Sequence, residues 1–185
     1  MSSVVIAGNT SGTITLDAPN VAGTTVLTLP TANGTVITTG NIPAGSVLQV
    51  VSATYSTNFN TSSTTSYVDT GLSTSITPTK SSSKILIIIN QMGYLRLDTT
   101  AEQGGYVNLV RGSTQITEIS AFQRMGATAA QYASYFNGTV YLDSPNTTSS
   151  TTYKTQAKVV SGASGTQITF NNGSTSTITL IEVAA

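Results

Sequence analysis

Hydrophobic positions along the chain fall in short alternating runs, separated by clusters of Ser, Thr, Asn and Gly. Thr, Val, Ile and Tyr dominate the runs, and turn residues recur about every ten positions, which is the pattern of an all-β sandwich or barrel. In "GTITLDAP" (12–19), Ile14 and Leu16 share one strand face and Thr13, Thr15 and Asp17 the other. "TTVLTLP" (24–30) and "TVITTG" (35–40) flank Asn33-Gly34, a hairpin signal because both residues tolerate positive φ. Three strands this short bury no useful core alone. Residues 1–44 are therefore expected to form a β-arm used for attachment or for packing between subunits, with "NIPAG" (41–45) as linker.

From Ser46 the runs lengthen. Strands are expected near 47–54, 67–70, 73–77, 84–92, 105–112, 114–120, 132–143, 151–160, 165–170 and 176–184. The alanines of 120–131 permit a turn or two of helix. This strand count fits a two-sheet jelly roll, so residues 45–185 are predicted to form a jelly-roll-like antiparallel β-sandwich.

The greasiest run is "KILIIIN" (84–90). As a strand it places Ile85, Ile87 and Ile89 on one face and Leu86 and Ile88 on the other, so both faces are apolar. A free edge of this kind is an aggregation hazard. The run is expected to lie centrally in its sheet, covered on both faces, with Lys80 and Lys84 guarding its entry. Its second cover is either residues 24–39 or a symmetry-related subunit, which makes residues 85–89 candidates for core or inter-subunit packing.

Composition narrows the function. About a third of the residues are Ser or Thr, and only 7 Lys+Arg and 7 Asp+Glu are present, for a net charge of zero. Clustered cations for nucleic acid or for an anionic membrane surface are absent. No apolar run approaches the ~18 residues of a transmembrane helix, and the first ten residues lack the pattern of a signal peptide. A surface of hydroxyls and amides suits a protein held in a fixed assembly.

Catalytic chemistry finds few residues to use. The chain has no His and no Cys, which removes the commonest general base, the Ser-His and Cys-His arrangements and the favoured zinc ligands. No catalytic residue, cofactor site or metal site is assigned. Asp98 and Glu102 share "LDTTAEQGG" and are the one local acid pair to weigh as a glycosidase pair; a solvated loop or a loop-borne salt bridge is the favoured explanation. They join Phe59, Asn60 and Asn146 as candidate surface-contact residues on polar loops. Phe59, without apolar neighbours in "STNFNTSS", is either tucked under its loop or a contact anchor. The cluster Tyr132, Tyr135, Phe136 and Tyr141 reads mainly as core. Arg96, Arg111 and Arg124 read as ion-pair formers, with Asp98, Glu102 and Glu118 as partners.

Several stretches resemble a module of tailed-bacteriophage virion proteins, many of them tail-fibre-like. They are "SGTITLDAPNVAGTTVLTLPTANGTVITTG" (11–40), "IPAGSVLQVVSA" (42–53), "TSYVDTGLSTSITPTKSSSKILIIINQ" (65–91) and "TSTITLIEVA" (175–184). Residues 92–174 match only in style. The resemblance implies a β-rich homotrimer located in the virion, without cofactor, and carries over no catalytic residues. It implies as partners further copies of the chain, other phage virion proteins held through the arm, and host-surface glycan, with no nucleic acid and no membrane insertion. Three functions follow as expectations: a trimeric, non-enzymatic appendage of tail-fibre type contacting the host; a capsid decoration protein at three-fold positions; and, remotely, a glycan depolymerase.

Overall fold

A computed structural model describes residues 3–7, 10–17, 23–24, 26, 31, 33–34, 36–97, 104–123, 131–160 and 166–185. The chain divides into two units, Met1–Thr38 and Thr39–Ala185. The first unit holds one antiparallel hairpin, β1 (Ser3–Ala7) with β2 (Thr13–Asp17). Gly12, at φ 78°, ends its turn, a conformation only glycine adopts without strain. β2 matches the alternation seen at 12–19. The hairpin expected around Asn33-Gly34 falls largely outside the described residues; of its flanks, 36–38 carry no strand.

The second unit is a β-sandwich of ten strands: β3 (Val47–Tyr55), β4 (Phe59–Thr61), β5 (Val68–Ile76), β6 (Lys84–Leu97), β7 (Gly104–Arg111), β8 (Thr114–Gln123), β9 (Gln131–Asp143), β10 (Thr151–Val159), β11 (Gln167–Phe170) and β12 (Ser176–Val183). One sheet has the order β5-β10-β7-β8. In the other, β6 is central: β9 pairs along one side of it, while β12 and then β11 pair along the opposite side. β3 lies beyond β12, and β4 beyond β11. With the short β4 and β11 set aside, eight strands remain. The sheets then take the first, eighth, third and sixth of them, and the second, seventh, fourth and fifth. That interleaving is the jelly roll, in which successive strands cross between sheets as paired Greek keys.

The expected strand positions mostly hold, with physical reasons for the exceptions. The runs at 67–70 and 73–77 are one strand, β5, interrupted by Gly71 at φ 90°. The register against β10 slips at this point, and a Cβ on Gly71 would meet the Tyr55 ring at 2.3 Å, so the bulge needs glycine. β8 runs to Gln123, where a helical turn was allowed, and 124–130 lie outside the described residues.

The two sheets enclose a core in two parts. Ile85, Ile87 and Ile89 pack with Leu72, Leu180 and Tyr153 in one. Leu95, Val107, Ile168 and Phe170 lead the other. A buried polar bridge separates them. Along β6, Gln91 falls between Ile89 and Leu95, and its Nε2 donates to Thr70 Oγ1 at 3.1 Å. The Thr70 and Thr155 hydroxyls share a bond of 2.5 Å.

The strand built on "KILIIIN" is central, as expected, and the described residues of its own unit cover one of its faces. Ile85, Ile87 and Ile89 are at most 2% exposed, whereas Ile88 is 38% exposed and Leu86 is half-buried. Among the described residues of Thr39–Ala185, no element lies over the Leu86–Ile88 face. Alternation fixed which side chains pair up on a face; it could not say whether the same chain supplies both lids.

Candidate interaction surface

Of the expected contact residues, Phe59, Asn60 and Asn146 are described. Phe59 is in strand β4, not in a loop, and its ring stacks on Phe170 with centroids 6.1 Å apart. It is half-buried against the second core cluster: an isolated aromatic finds apolar neighbours across the sheet rather than along the chain. Asn60, exposed beside it, accepts a long 3.5 Å bond from Gln167 Nε2. Asn146 is exposed at φ 52°; its short polar side chain suits this left-handed turn position. Asp98 and Glu102 lie outside the described residues.

Two of the described acids, Glu182 and Asp143, are held by donors from other strands and turns. Glu182 is fully buried on the inward face of β12. Its Oε1 accepts from the Thr79 amide at 2.7 Å and the Thr79 hydroxyl at 2.8 Å, and its Oε2 accepts from Gln49 Nε2 at 2.5 Å. Burial pushes its carboxyl up, but the surrounding donors outweigh burial and hold it below the usual glutamate value. Sequence reading missed this residue, although the signal was there: Ser176, Ile178, Leu180 and Glu182 alternate onto one face.

Asp143, at the end of β9, ties the sheets together. The Tyr153 hydroxyl donates to its Oδ2 at 2.6 Å, and Arg111 Nη1 reaches Oδ1 and Oδ2 at 2.9 and 2.7 Å. Arg111 and Tyr153 belong to the β5-β10-β7-β8 sheet and Asp143 to the other. Arg111 therefore pairs with Asp143, which was not among the acids expected for it. Burial, first, and the neighbouring carboxylate hold the Tyr153 phenol far above its ordinary value, so it stays a donor. With Glu182 and Asp143 saturated by donors, neither is a free acid or base. Among the described residues no three acids gather to hold a metal ion.

What the fold does assemble is a surface. Cross-strand register on the outer face of the β6 sheet aligns Val50, Ile181, Leu86 and Leu142 in one row. The next row is Ser52, Thr179, Ile88 and Val140. Val140 is 66% exposed and Leu142 50%. A polar row of Thr54, Thr177 and Asn90 follows; beyond it Met92 is exposed and Tyr94 meets Tyr132 edge-on at 5.3 Å. The outer face of the opposite sheet is built differently. Asp69 accepts from Lys154 Nζ and from Gln156 Nε2, each at 2.7 Å. Lys158 Nζ lies 4.6 Å from the centre of the Tyr67 ring and 5.6 Å from that of Tyr106. One sheet thus shows water a charged, hydrogen-bonded face, and the other an uncharged face on which Val, Ile and Leu side chains lie beside hydroxyls.

No family model matches the chain, and no curated protein does. Solved structures offer distant likenesses. A chain in the structure of infectious bursal disease virus, Gx strain, is 14% identical with a TM-score of 0.37, the match covering 98% of this chain and 41% of that one. A mutant VP2 protein of the same virus, in derived T=1 particles, is 13% identical with a TM-score of 0.35, covering 97% and 44%. The chain spans less than half the length of either.

Proposed function

We propose that this chain is a non-enzymatic structural protein of a virion, a surface appendage of tail-fibre type whose jelly-roll unit assembles as a homotrimer and whose N-terminal unit attaches it to the particle. The observation that carries this reading is the state of the N-terminal unit. Every residue of Met1–Thr38 whose exposure is described is exposed, including Val5 at 57%, Ile14 at 66% and Val26 at 85%. A hairpin with its apolar side chains in water gains little on its own; it gains by docking onto another protein. The jelly roll supports the reading as a compact module to be displayed, and the resemblance of 11–40 and 65–91 to phage virion proteins supplies the setting. Fold alone would not, because jelly rolls serve many functions.

The test is location. Gold-labelled antibody on purified particles should mark the tail, and a chain lacking residues 1–38 should fold but fail to join particles. Label distributed over the head would replace the tail-fibre reading with capsid decoration. Absence of the protein from particles would end both. Host-surface contact is tested separately, by glycan binding that survives removal of the arm.

A further inference from the structure

Eight large hydrophobic side chains in the described part of Thr39–Ala185 are substantially exposed: Val47, Val50, Val68, Ile88, Met92, Tyr132, Val140 and Leu142. All but Val68 lie on the outer face of the β6 sheet, as the register places them. Scattered exposed apolar residues are ordinary; a contiguous stripe is a contact surface. The stripe ends at β9, a strand of 13 residues whose far edge pairs with no strand among the described residues. Natural edge strands are usually blunted by short length, Lys, Pro or an inward charge. β9 has no Lys, Arg or Pro, and its one acid, Asp143, is turned into the Arg111 and Tyr153 pin.

We infer that the outer face of β3-β12-β6-β9, with the free edge of β9, is the surface on which another copy of this chain packs. Charge selects this occupant. From Leu86 to Tyr94 on β6, and across the rows that pair with them, no outward residue is charged. Such a face offers nothing for a charged partner to recognise, and nothing to repel its own kind when two copies meet. Its size is adequate. Four strands span about 19 Å and β6 from Lys84 to Met92 about 30 Å, on the order of 600 Å² in projection, against the ~800 Å² per partner of a specific interface. Lys84 and Arg96, exposed at its two ends, give it a polar rim. The inference deepens the proposed homotrimer by naming the contact surface, and it is tested on purified protein, so it can fail while the virion assignment stands.

The chain lacks cysteine, so a single thiol reports cleanly. The full-length protein at high-micromolar concentration should scatter light as a whole multiple of 19.0 kDa. Ile88→Lys combined with Val140→Lys should give a monomer with an unchanged circular dichroism spectrum, while Ser73→Lys on the opposite sheet should leave the mass as it was. A wild-type monomer, or a folded double variant that keeps the wild-type mass, overturns the inference. If the double variant fails to fold, Val140→Cys decides. Its maleimide labelling should be at least about tenfold slower in the concentrated protein than after dilution to the monomer, with Ser75→Cys labelling at one rate throughout. Equal rates for Val140→Cys overturn it.

Discussion

The two outer faces of the sandwich are made by the same kind of strand, yet they treat water differently. On β10, Lys154, Gln156 and Lys158 alternate outward and find Asp69, Tyr67 and Tyr106. On β6, the alternating outward positions are Leu86, Ile88, Asn90 and Met92, and the cross-strand partners of the first two include Ile181, Val140 and Leu142. An antiparallel sheet with one wet face keeps polar side chains there. The β10 sheet does so throughout; the β6 sheet does so only in part, with Ser52, Thr179 and Asn90 among its outward Val, Ile and Leu side chains. On the inference drawn above, the difference separates a surface complete within one chain from one that a second copy would complete.

The sharpest way to break this comparison is to place a charge on either side of β6. Ile87→Asp sets a carboxylate among fully buried side chains and is expected to abolish folding, a loss above about 4 kcal/mol. Ile88→Asp, one residue on, should fold and lose only association. Thermal melts of both variants check this; equal damage would mean that the Ile88 face is sealed within the chain.

A smaller effect is expected between the sheets. Asp143→Ala leaves Arg111 and the buried Tyr153 hydroxyl without their acceptor, and should cost about 3 kcal/mol in urea unfolding. Tyr153→Phe removes one bond to a carboxylate and should cost about 1.5 kcal/mol. If Asp143→Ala proves neutral, the pin is not what joins the faces.

Acid should act through Glu182. Its folded pKa lies below its unfolded value of about 4.3, so its stabilisation is complete above that value and is lost as pH falls through the folded pKa. Asp69, likewise lowered by Lys154 and Gln156 against its own burial, works in the same direction. Unfolding free energy should therefore decline as pH is lowered from about 5 to 3. Glu182→Gln should flatten part of that decline, and an unchanged slope would contradict it. The smallest effect belongs to the polar face, where Lys158→Ala should change stability by less than about 1 kcal/mol and leave the oligomeric mass alone.

Much of the fold could be read along the chain, because alternation is a local property. β3, β7, β9, β10 and β12 lie where period-two patterning and turn clusters put them. β4 was hidden in a polar loop, since "FNT" has no alternation to show and exists through its pairing with β11. The expected contact residues fared differently. Phe59 became a core neighbour, and Asn146 a turn residue, because burial is set by what lies across the sheet. The partner of Arg111 was missed because Asp143 comes to it from the other sheet.

By itself the sequence determined that this is an all-β chain, low in charge, without histidine or cysteine, and carrying one strand greasy on both faces. Those follow from residue types and a two-residue period. Only the tertiary structure decided which face of that strand meets the core. Placing β9, β12 and β3 beside it turned isolated outward Val, Ile and Leu side chains into one stripe. Register joins residues far apart in sequence, and no local pattern encodes which rows will align.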